Sequence, residues 1–339
     1  MKNKMMVEII DSNYNINFSK LKDKTVLITG ASGLVGVHLL ASLKQIQKEY
    51  NISIYTWNKN DNILFSDLFS ECEKIISDIT DLNTFNNLPK FDFIIHSSGY
   101  GQPVKFLSNR IKTIEVNTLS TIKLIEHLQD DGTFLFISSS EVYNGLFKYN
   151  INEDEIGNTD PFHPRASYIE GKKCGESICN IYHESGKNIK IVRLSFSYGP
   201  GTQYGDTRVI SSIINKGLNN DYIELSDDGS SLRTLCYITD AVEMIWNILL
   251  YGKQLVYNVG GIDTLTILEL SQKIGYILNK EIKLPKNNNE LIGNPKLVNL
   301  SLDRYFNEFG KKSFVSLEEG LLKTINWQKY IQSSFNEND

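Results

Sequence analysis

The chain has 339 residues, of which 41% are hydrophobic and 22% charged, so it can bury the core of one large domain or of two closely joined domains. Its formal net charge of -5 excludes a global basic surface for nucleic acid or anionic lipid. The sequence has no apolar leader and no apolar run of membrane-spanning length, so we expect a cytoplasmic protein without membrane or nucleic-acid partners.

The predicted elements begin at residue 25, where short β-rich runs start to alternate with helical patterns. Buried strands in this β-α-β order predict an α/β fold with a parallel, doubly wound sheet and helices on both of its faces. The predicted strands are residues 25–28, 52–57, 93–96, 133–138 and 190–194, and the predicted helices are residues 36–48, 117–129 and 167–183.

The pattern changes after Pro200. We predict a helix at residues 209–218, an extended stretch at 222–226, a strand at 256–259, a helix at 265–278, a polar loop at 286–294 and an amphipathic helix at 317–330. We interpret residues 1–199, with residues 238–262 returning to them, as the first domain. Residues 200–237 and 263–339 would form a smaller C-terminal lobe that binds the substrate.

The cysteines and histidines indicate neither a disulfide framework nor a metal site. Cys174 and Cys179 are the only near pair among the 4 cysteines, and no second pair accompanies them. The 5 histidines include no pair at helical ligand spacing. We therefore expect no metal.

A glycine-rich turn follows the first strand. Gly30, Gly33 and Gly36 are spaced G-x-x-G-x-x-G, whereas the standard dinucleotide fingerprint is G-x-G-x-x-G. Glycines allow the backbone to approach a pyrophosphate, and the free amides and dipole at a helix start favour its negative charge. The turn therefore predicts that this chain binds a dinucleotide.

The end of the second strand leaves the choice of dinucleotide open. An acidic residue there normally binds the ribose hydroxyls of NAD, but residues 55–59 contain no carboxylate. Lys59 could pair with the extra phosphate of NADP, or it could simply be a solvated lysine.

Tyr168 and Lys172 form the strongest candidate for chemistry. They lie four residues apart on a predicted helix, and hence on the same face. A nearby cation stabilises phenolate and lowers the tyrosine pKa, so the pair could remove a hydroxyl proton while hydride leaves the same carbon. Upstream, a buried strand ends in Ser139, Ser140 and Glu141, and ligands sit at the carboxyl ends of such strands.

Taken together, these segments resemble the extended short-chain dehydrogenase/reductase family of nucleotide-sugar enzymes, whose sheet is of the Rossmann type. The resemblance extends from Thr25 to Tyr330. It includes Asp78-Ile79 after the third strand, residues 92–99 at the fourth strand, Asn117 at the head of the next helix, and residues 198–200 before the second lobe.

The resemblance implies that the cofactor is NAD, with NADP as the alternative, and that a nucleoside-diphosphate sugar is the substrate. It implies that the cofactor is bound by Gly30, Ser32, Gly33, Leu34, Val35, Gly36, Asp78, Ile79, Ser97, Ser98, Gly99, Asn117, Tyr168 and Lys172.

The resemblance also implies the remaining roles in the site. Ser139, Glu141, Tyr168 and Lys172 would be catalytic, with Ser139 sharing the substrate's 4-hydroxyl with Tyr168. The substrate-binding residues would be Ser140, Arg208 and Arg233. The chain departs from the family pattern in two places: Phe196 stands where an asparagine is usual, and Ser98-Gly99 replaces paired alanines.

Within the family, the chain is most similar to the UDP-glucuronate decarboxylases. Residues 140–143 have the sequence Ser-Glu-Val-Tyr, and residues 164–172 have the sequence Pro-Arg-Ala-Ser-Tyr-Ile-Glu-Gly-Lys. Arg208 and Arg233 suit a diphosphate and a sugar carboxylate, because a guanidinium binds either in bidentate fashion. Residues 100–103 and 143–163 do not follow that group's usual sequence.

Three alternatives therefore stay open. A 4-epimerase usually lacks a carboxylate at the position of Glu141, and a 4,6-dehydratase usually carries Asp-Glu where this chain has Ser140-Glu141. The third alternative is a nucleotide-binding regulator that kept the fold without catalysis. By the same resemblance, helices 117–129 and 167–183 would pair across a two-fold axis, which predicts a homodimer.

Overall fold

The computed structural model describes residues 14–61, 64–285 and 295–336. The strands in these residues are β1 (Thr25–Thr29), β2 (Ser53–Asn58), β3 (Glu73–Ile76), β4 (Phe91–His96), β5 (Leu128–Ser139), β6 (Asn188–Leu194), β7 (Phe196–Tyr198), β8 (Tyr222–Glu224), β9 (Leu232–Tyr237), β10 (Val256–Val259), β11 (Asp263–Thr266), β12 (Glu281–Lys283) and β13 (Leu297–Val298).

The α-helices in the same residues are α1 (Leu34–Tyr50), α2 (Pro103–Ser108), α3 (Arg110–Asn117), α4 (Leu119–Glu126), α5 (Ala166–Glu184), α6 (Val209–Asn219), α7 (Ile238–Tyr251), α8 (Ile267–Leu278), α9 (Asp303–Phe309) and α10 (Leu317–Asn336). Among them, no helix combines the length and the apolar composition that crossing a membrane requires. The expected cytoplasmic location stays a prediction.

Seven parallel strands form the central sheet, in the order β10-β6-β5-β4-β1-β2-β3. The sheet is covered on both faces, as the apolar strands require. Val26 and Ile28 of β1 point into one buried cluster, and Leu27 between them points into another. The predicted doubly wound parallel sheet is confirmed.

The helix predicted at residues 117–129 exists only over Leu119–Glu126, so its predicted bounds are wrong. The chain instead ends α3 at Asn117, starts α4 at Leu119 and enters β5 at Leu128. Thr118 departs from helical geometry with φ -116° and ψ -79°, and its hydroxyl donates to the carbonyl of Ile114 at 2.9 Å. Such side-chain bonding competes with the regular helix. Asn117 therefore closes a helix and does not head one.

Strand β5 is also longer than the sequence predicts. It begins at Leu128, whereas the prediction began at residue 133. Residues 129–131 are polar and exposed, so they conceal the start of the strand from a search for apolar runs.

The second half of the chain forms two small sheets. One contains β11, β9 and β13 in that order, with β7 also paired to β9, and the other contains β12 and β8. Helix α7 packs beside the central sheet, where the Trp246 indole donates to the Ser42 hydroxyl of α1 at 2.8 Å. The predicted polar loop at residues 286–294 lies outside the described residues. The proposed division into two domains stays a prediction.

Candidate active site

The end of β5 forms the floor of the site. Ser139 is the last residue of the strand and caps a single helical turn, Ser140–Tyr143, by accepting a hydrogen bond from the Glu141 amide at 3.2 Å. Ser140 is buried as the first residue of this turn. The carboxyl end of a central parallel strand is where open α/β sheets bind ligands. Ser139 and Glu141 therefore lie where such a sheet binds its ligand.

Helix α5 brings Lys172 against the same strand. The lysine is buried, and its Nζ donates to the carbonyl of Ile137 at 2.6 Å and lies 4.7 Å from the centre of the Phe136 ring. Burial lowers the pKa of Lys172 to about 7, and the charge of Glu176 opposes this change. Lys172 is thus poised between its charged and neutral forms near neutral pH.

Tyr168 lies one helical turn before Lys172, and the Lys172 Nζ is 6.0 Å from the centre of its ring. Burial raises the pKa of the phenol, whereas hydrogen bonding to Ser139 lowers it. Glu141 raises that pKa further, and the positive charges of Arg165 and Arg208 lower it. The structure therefore brings the predicted catalytic residues Ser139, Glu141, Tyr168 and Lys172 together.

Glu141 is engaged by a residue that we did not single out from the sequence. The Arg165 Nε donates to Glu141 Oε2 at 3.1 Å, and a second guanidinium nitrogen donates to Oε1. Both side chains are largely shielded from solvent. The only sequence signal for Arg165 was its place in the Pro-Arg segment before Tyr168, where it had no assigned role.

Phe106 on α2 is a second residue that the sequence did not reveal. Its ring stacks on Tyr168, with centroids 4.7 Å apart and planes inclined by 15°, and the Arg165 guanidinium carbon lies 4.9 Å from the Phe106 centroid. Phe106 therefore fixes the orientation of the Tyr168 ring, and its own ring also packs against the Arg165 guanidinium. Nothing in the sequence pattern distinguishes this phenylalanine from an ordinary core residue.

Arg208 and Arg233 also face the site, but their partners differ. Arg208 precedes α6 and forms an ion pair with Asp206, with a guanidinium nitrogen 2.6 Å from Oδ2. Arg233 on β9 donates to the carbonyl of its neighbour Leu232 at 2.8 Å. Burial lowers the pKa of Arg233 to about 10, while the charge of Glu141 raises it. Within the described ranges Arg233 has no ion-paired carboxylate.

The glycine turn has the close backbone packing that a pyrophosphate site needs. Gly30 adopts φ +66°, and a Cβ there would lie 2.9 Å from the Ser98 Cα. A Cβ on Gly36 would lie 2.3 Å from the Gly30 carbonyl oxygen. Gly33 is the N-cap of α1, so the amides of Leu34 and Val35 begin the helix without intrahelical partners.

Ser32 is held differently from its neighbours in the turn. Its amide donates to Asn58 Oδ1 at 2.8 Å, and its carbonyl accepts from the Gln203 side chain at 3.1 Å. Asn58 ends β2, where the fingerprint would have an acidic residue, so its side chain supports the turn.

Asp78 is surrounded by cations. Its carboxylate lies 2.7 Å from the Lys112 Nζ and 3.1 Å from the Lys59 Nζ, and Thr80 donates to it twice. Burial opposes ionisation, but these hydrogen bonds outweigh it and hold the pKa of Asp78 well below its usual range. Lys59 is therefore paired with Asp78 in this structure. The neighbouring Ile79 is buried.

The end of β4 connects the turn to helix α5. The Ser97 hydroxyl donates to the Thr29 carbonyl at 2.6 Å, and the Ser98 amide donates to the Thr29 hydroxyl at 3.2 Å. A Cβ on Gly99 would lie 3.9 Å from the Lys172 Nζ. Residues 97–99 therefore lie between the glycine turn and Lys172.

Asn117 is fully buried, and its Nδ2 donates to the carbonyl of Thr113 at 2.7 Å. Its Oδ1 has no hydrogen-bond partner in the described parts of the chain. The predicted cofactor contact of Asn117 stays a prediction, as do the individual roles of the other site residues.

Comparison with known proteins identifies relatives over most of the chain. The sequence pattern of the NAD dependent epimerase/dehydratase family matches residues 26–260. UDP-glucuronic acid decarboxylase 6 of Arabidopsis thaliana is 28% identical over 305 residues, which cover 87% of this chain and 86% of the relative. UDP-glucuronic acid decarboxylase 1 of Danio rerio is 28% identical over 326 residues, which cover 92% of this chain and 74% of the relative.

Solved structures share the fold at lower identity. The dTDP-glucose 4,6-dehydratase of Bacillus anthracis in complex with NAD superposes with a TM-score of 0.76 and 19% identity, covering 91% of this chain and 98% of that one. The UDP-glucuronic acid 4-epimerase of Bacillus cereus, in complex with UDP-glucuronic acid and NAD, gives a TM-score of 0.77 and 22% identity, covering 91% and 99%.

Proposed function

The chain belongs to the NAD-dependent epimerase/dehydratase family, and from this premise we propose that it is an NAD-dependent nucleotide-sugar enzyme that removes the carboxyl group of UDP-glucuronate. The decarboxylases among its relatives support this choice. The reaction would yield CO2 and the corresponding UDP-pentose.

The observation that carries the proposal is the position of Arg233. Its guanidinium is partly buried beside Glu141 and Arg165, and no carboxylate is ion-paired to it in the described residues. A guanidinium in such a position favours an anionic partner, which it binds in bidentate fashion. A sugar carboxylate at C5 would supply that partner within reach of Tyr168. A neutral hexose would leave Arg233 unpaired.

The residues around the glycine turn fit NAD. The close packing at Gly30 and Gly36 leaves the first amides of α1 for the pyrophosphate, and Gly99 and Lys172 are adjacent, as a nicotinamide ribose site would require. When bound, NAD supplies the hydride acceptor and donor for the reaction. Asp78 with Ile79 would hold the adenine end.

In the proposed reaction, Tyr168 accepts the proton of the sugar 4-hydroxyl while the C4 hydrogen leaves as hydride, so that C4 becomes a ketone. Ser139 holds the same hydroxyl, and Lys172 stabilises the phenolate. The product is a β-keto acid, which loses CO2 by breaking the C5–C6 bond. The electron pair stays on C5 as an enolate. C5 then takes up a proton from water, the hydride returns to C4, and Tyr168 gives its proton back to the C4 oxygen.

The test is to incubate the NAD-loaded protein with UDP-glucuronate and to identify products by mass spectrometry. We expect release of CO2 and a nucleotide product lighter by that mass, without net reduction of NAD. Arg233→Gln should weaken binding of UDP-glucuronate strongly, because loss of a bidentate partner costs roughly 2–5 kcal/mol. A folded protein that converts other nucleotide sugars but not this one would overturn the proposed substrate.

One observation favours a second candidate, a 4-epimerase. Arg165 occupies both oxygens of Glu141, so in this structure Glu141 is not free to act as an acid after loss of CO2. An epimerase needs no such acid, because the keto sugar only has to rotate. A product of unchanged mass that is the C4 epimer of the substrate would identify this activity.

We also propose that the protein is a homodimer. Ile111 and Ile114 of α3 and Ile181 of α5 expose 69%, 41% and 63% of their surfaces. Helices α3 and α5 pack against each other, so these side chains extend from one helix pair. Pairing of two such faces would form a four-helix bundle and remove the isoleucines from water.

A further inference from the structure

A buried acidic residue that has no role in the proposed reaction lies one helical turn beyond Lys172. Glu176 on α5 is 8% exposed. Arg193 on β6 binds it in bidentate fashion, with Nε 3.1 Å from both oxygens and a second guanidinium nitrogen 2.8 Å from Oε2. The Ser138 hydroxyl donates to Oε1 at 2.5 Å. Glu176 is therefore fixed from two strands as well as from its own helix.

These contacts place the Glu176 carboxylate beside the catalytic lysine. Lys172 and Glu176 are four residues apart, so they lie on one face of α5. Lys172 donates to the carbonyl of Ile137, and Glu176 accepts from the side chain of Ser138, the next residue of β5. The two charged groups thus contact consecutive residues of one strand, although they do not form a direct ion pair in the described residues.

We propose that Glu176 is a positioning residue for hydride transfer, whose carboxylate, fixed by Arg193 and Ser138, keeps Lys172 charged at the pH at which the enzyme works. Lys172 needs such help because the interior of the protein disfavours an ammonium. A charged Lys172 is in turn required to stabilise the phenolate of Tyr168.

The other groups that face Lys172 do not supply this charge. Burial lowers the pKa of His96 on β4 to about 3, so its ring is neutral. Burial raises the pKa of the Cys179 thiol on α5 well above its usual range, so the thiol is neutral as well. Burial also raises the pKa of Tyr168. Among the groups that raise the pKa of Lys172, Glu176 has a larger effect than Cys179, whose thiol stays protonated.

Arg193 fixes the position of Glu176, and it also contacts residues of other segments. One Arg193 nitrogen donates to the Tyr143 hydroxyl at 2.9 Å and to the carbonyls of Glu153 and Glu155 at 2.9 and 3.0 Å. With all these acceptors satisfied, the guanidinium has one defined orientation. The acid beside Lys172 is thus preorganised before substrate binds.

The experiment titrates Lys172 directly by NMR in the NAD-loaded protein with isotopically labelled lysine side chains, with Lys172→Arg identifying its signal. In Glu176→Gln, which keeps the side-chain length but removes the charge, the lysine should lose its proton about one pH unit lower. In Glu176→Asp, which keeps the charge, the titration should stay close to that of the unchanged protein. Glu184→Gln, at the exposed end of the same helix, is the matched control and should not move it.

Transient nicotinamide reduction during a single turnover supplies the second readout, and its loss at alkaline pH should follow the same order among the variants. The lysine titration needs no substrate, so failure of the proposed UDP-glucuronate activity would leave this test intact. If Glu176→Gln does not fold, Ser138→Ala provides the second variant. It removes the hydrogen bond to Glu176 Oε1 without leaving Arg193 unpaired, and Lys172 must then lose its proton at lower pH. A folded Glu176→Gln or Ser138→Ala variant in which Lys172 titrates unchanged would overturn the proposal. An equal change in Glu176→Gln, Glu176→Asp and Glu184→Gln would overturn it as well.

Discussion

Arg165 and Glu141 are joined by a two-pronged ion pair at the edge of the candidate active site. The guanidinium also lies on Phe106, whose ring stacks on Tyr168. Through these contacts one arginine fixes the orientation of the acid and lowers the pKa of the tyrosine. Arg165 thereby connects the turn after β5 to the start of α5.

Replacing Arg165 should therefore affect both stability and turnover. In Arg165→Gln, Glu141 loses its partner in a largely shielded position, and we expect a loss of roughly 1–3 kcal/mol in the free energy of unfolding. Turnover should fall on the order of tenfold or more, because Tyr168 loses a positive charge that lowers its pKa. Lys148→Gln, which removes an exposed ion pair with Glu155, should cost less than about 1 kcal/mol. Urea unfolding and steady-state kinetics measure both effects, and equal stability losses in the two variants would contradict the interpretation.

Tyr168→Phe should abolish hydride transfer and leave NAD binding nearly intact. The change removes only the ionisable oxygen, and the ring can keep its stacking on Phe106. The transient rise in nicotinamide absorbance during a single turnover reports hydride transfer, and quenching of protein fluorescence by NAD reports binding. Near-normal reduction of the nicotinamide in this variant would mean that another group removes the hydroxyl proton.

Gly36→Ala should weaken NAD binding. The added methyl group would meet the Gly30 carbonyl oxygen at 2.3 Å, so α1 would have to move away from the glycine turn. Displacing the helix start removes amides from the pyrophosphate, and we expect roughly tenfold weaker binding or more. Gly101→Ala is the control, because a Cβ there meets nothing within 4 Å. Calorimetric titration with NAD compares the two variants, and equal affinities would contradict the predicted site.

Acid should destabilise the protein through two buried histidines. Burial lowers the pKa of His38 to about 4 and that of His96 to about 3, from 6.5 for an ordinary histidine. At pH values between the folded-state and ordinary pKa of each histidine, the unfolded chain binds more protons than the folded chain. The free energy of unfolding therefore falls as the pH drops below about 6.5. Between about pH 7 and about pH 5, each histidine should cost about 2 kcal/mol.

Urea unfolding at these two pH values measures this loss. His38→Gln keeps a donor for the Pro200 carbonyl, which His38 Nε2 contacts at 2.9 Å, but it removes the titrating group. The variant should lose about 2 kcal/mol less than the unchanged protein over this pH range. His183→Gln, at the exposed end of α5, should leave the loss unaltered. An identical loss in His38→Gln and in the unchanged protein would rule out His38 as a contributor.

The proposed dimer should dissociate when charge is placed on its exposed isoleucines. Ile181→Asp puts a carboxylate on the face formed by α3 and α5, where burial in an interface without a partner is unfavourable. Ile262→Asp, at a comparably exposed isoleucine in the loop between β10 and β11, should leave the dimer unchanged. Light scattering at micromolar concentration distinguishes the species. A monomer in the unchanged protein would contradict the proposal.

The sequence by itself determined the fold class and the two anchoring motifs of the site. Apolar runs in β-α-β order specify a parallel sheet, because strands buried on both faces must be apolar throughout. The glycine turn and the Tyr168/Lys172 pair are local, since their spacing along one turn or one helix fixes their geometry. The ends of the helices and the start of β5 between residues 117 and 133 could not be predicted in this way. The break at Thr118 and the polar residues at the start of β5 hide these boundaries from a search for apolar patterns.

Only the tertiary structure decided which charges act together. Phe106, Glu141, Arg165 and Arg233 come from four separate segments, and their contacts depend on how α2, α5 and β9 meet at the end of β5. In the sequence Glu176 is an ordinary acidic residue of a helix, and only the fold brings Arg193 and Ser138 to fix it beside Lys172. Electrostatic effects depend on distance through space and on burial, and one sequence without its fold specifies neither for residues far apart in the chain.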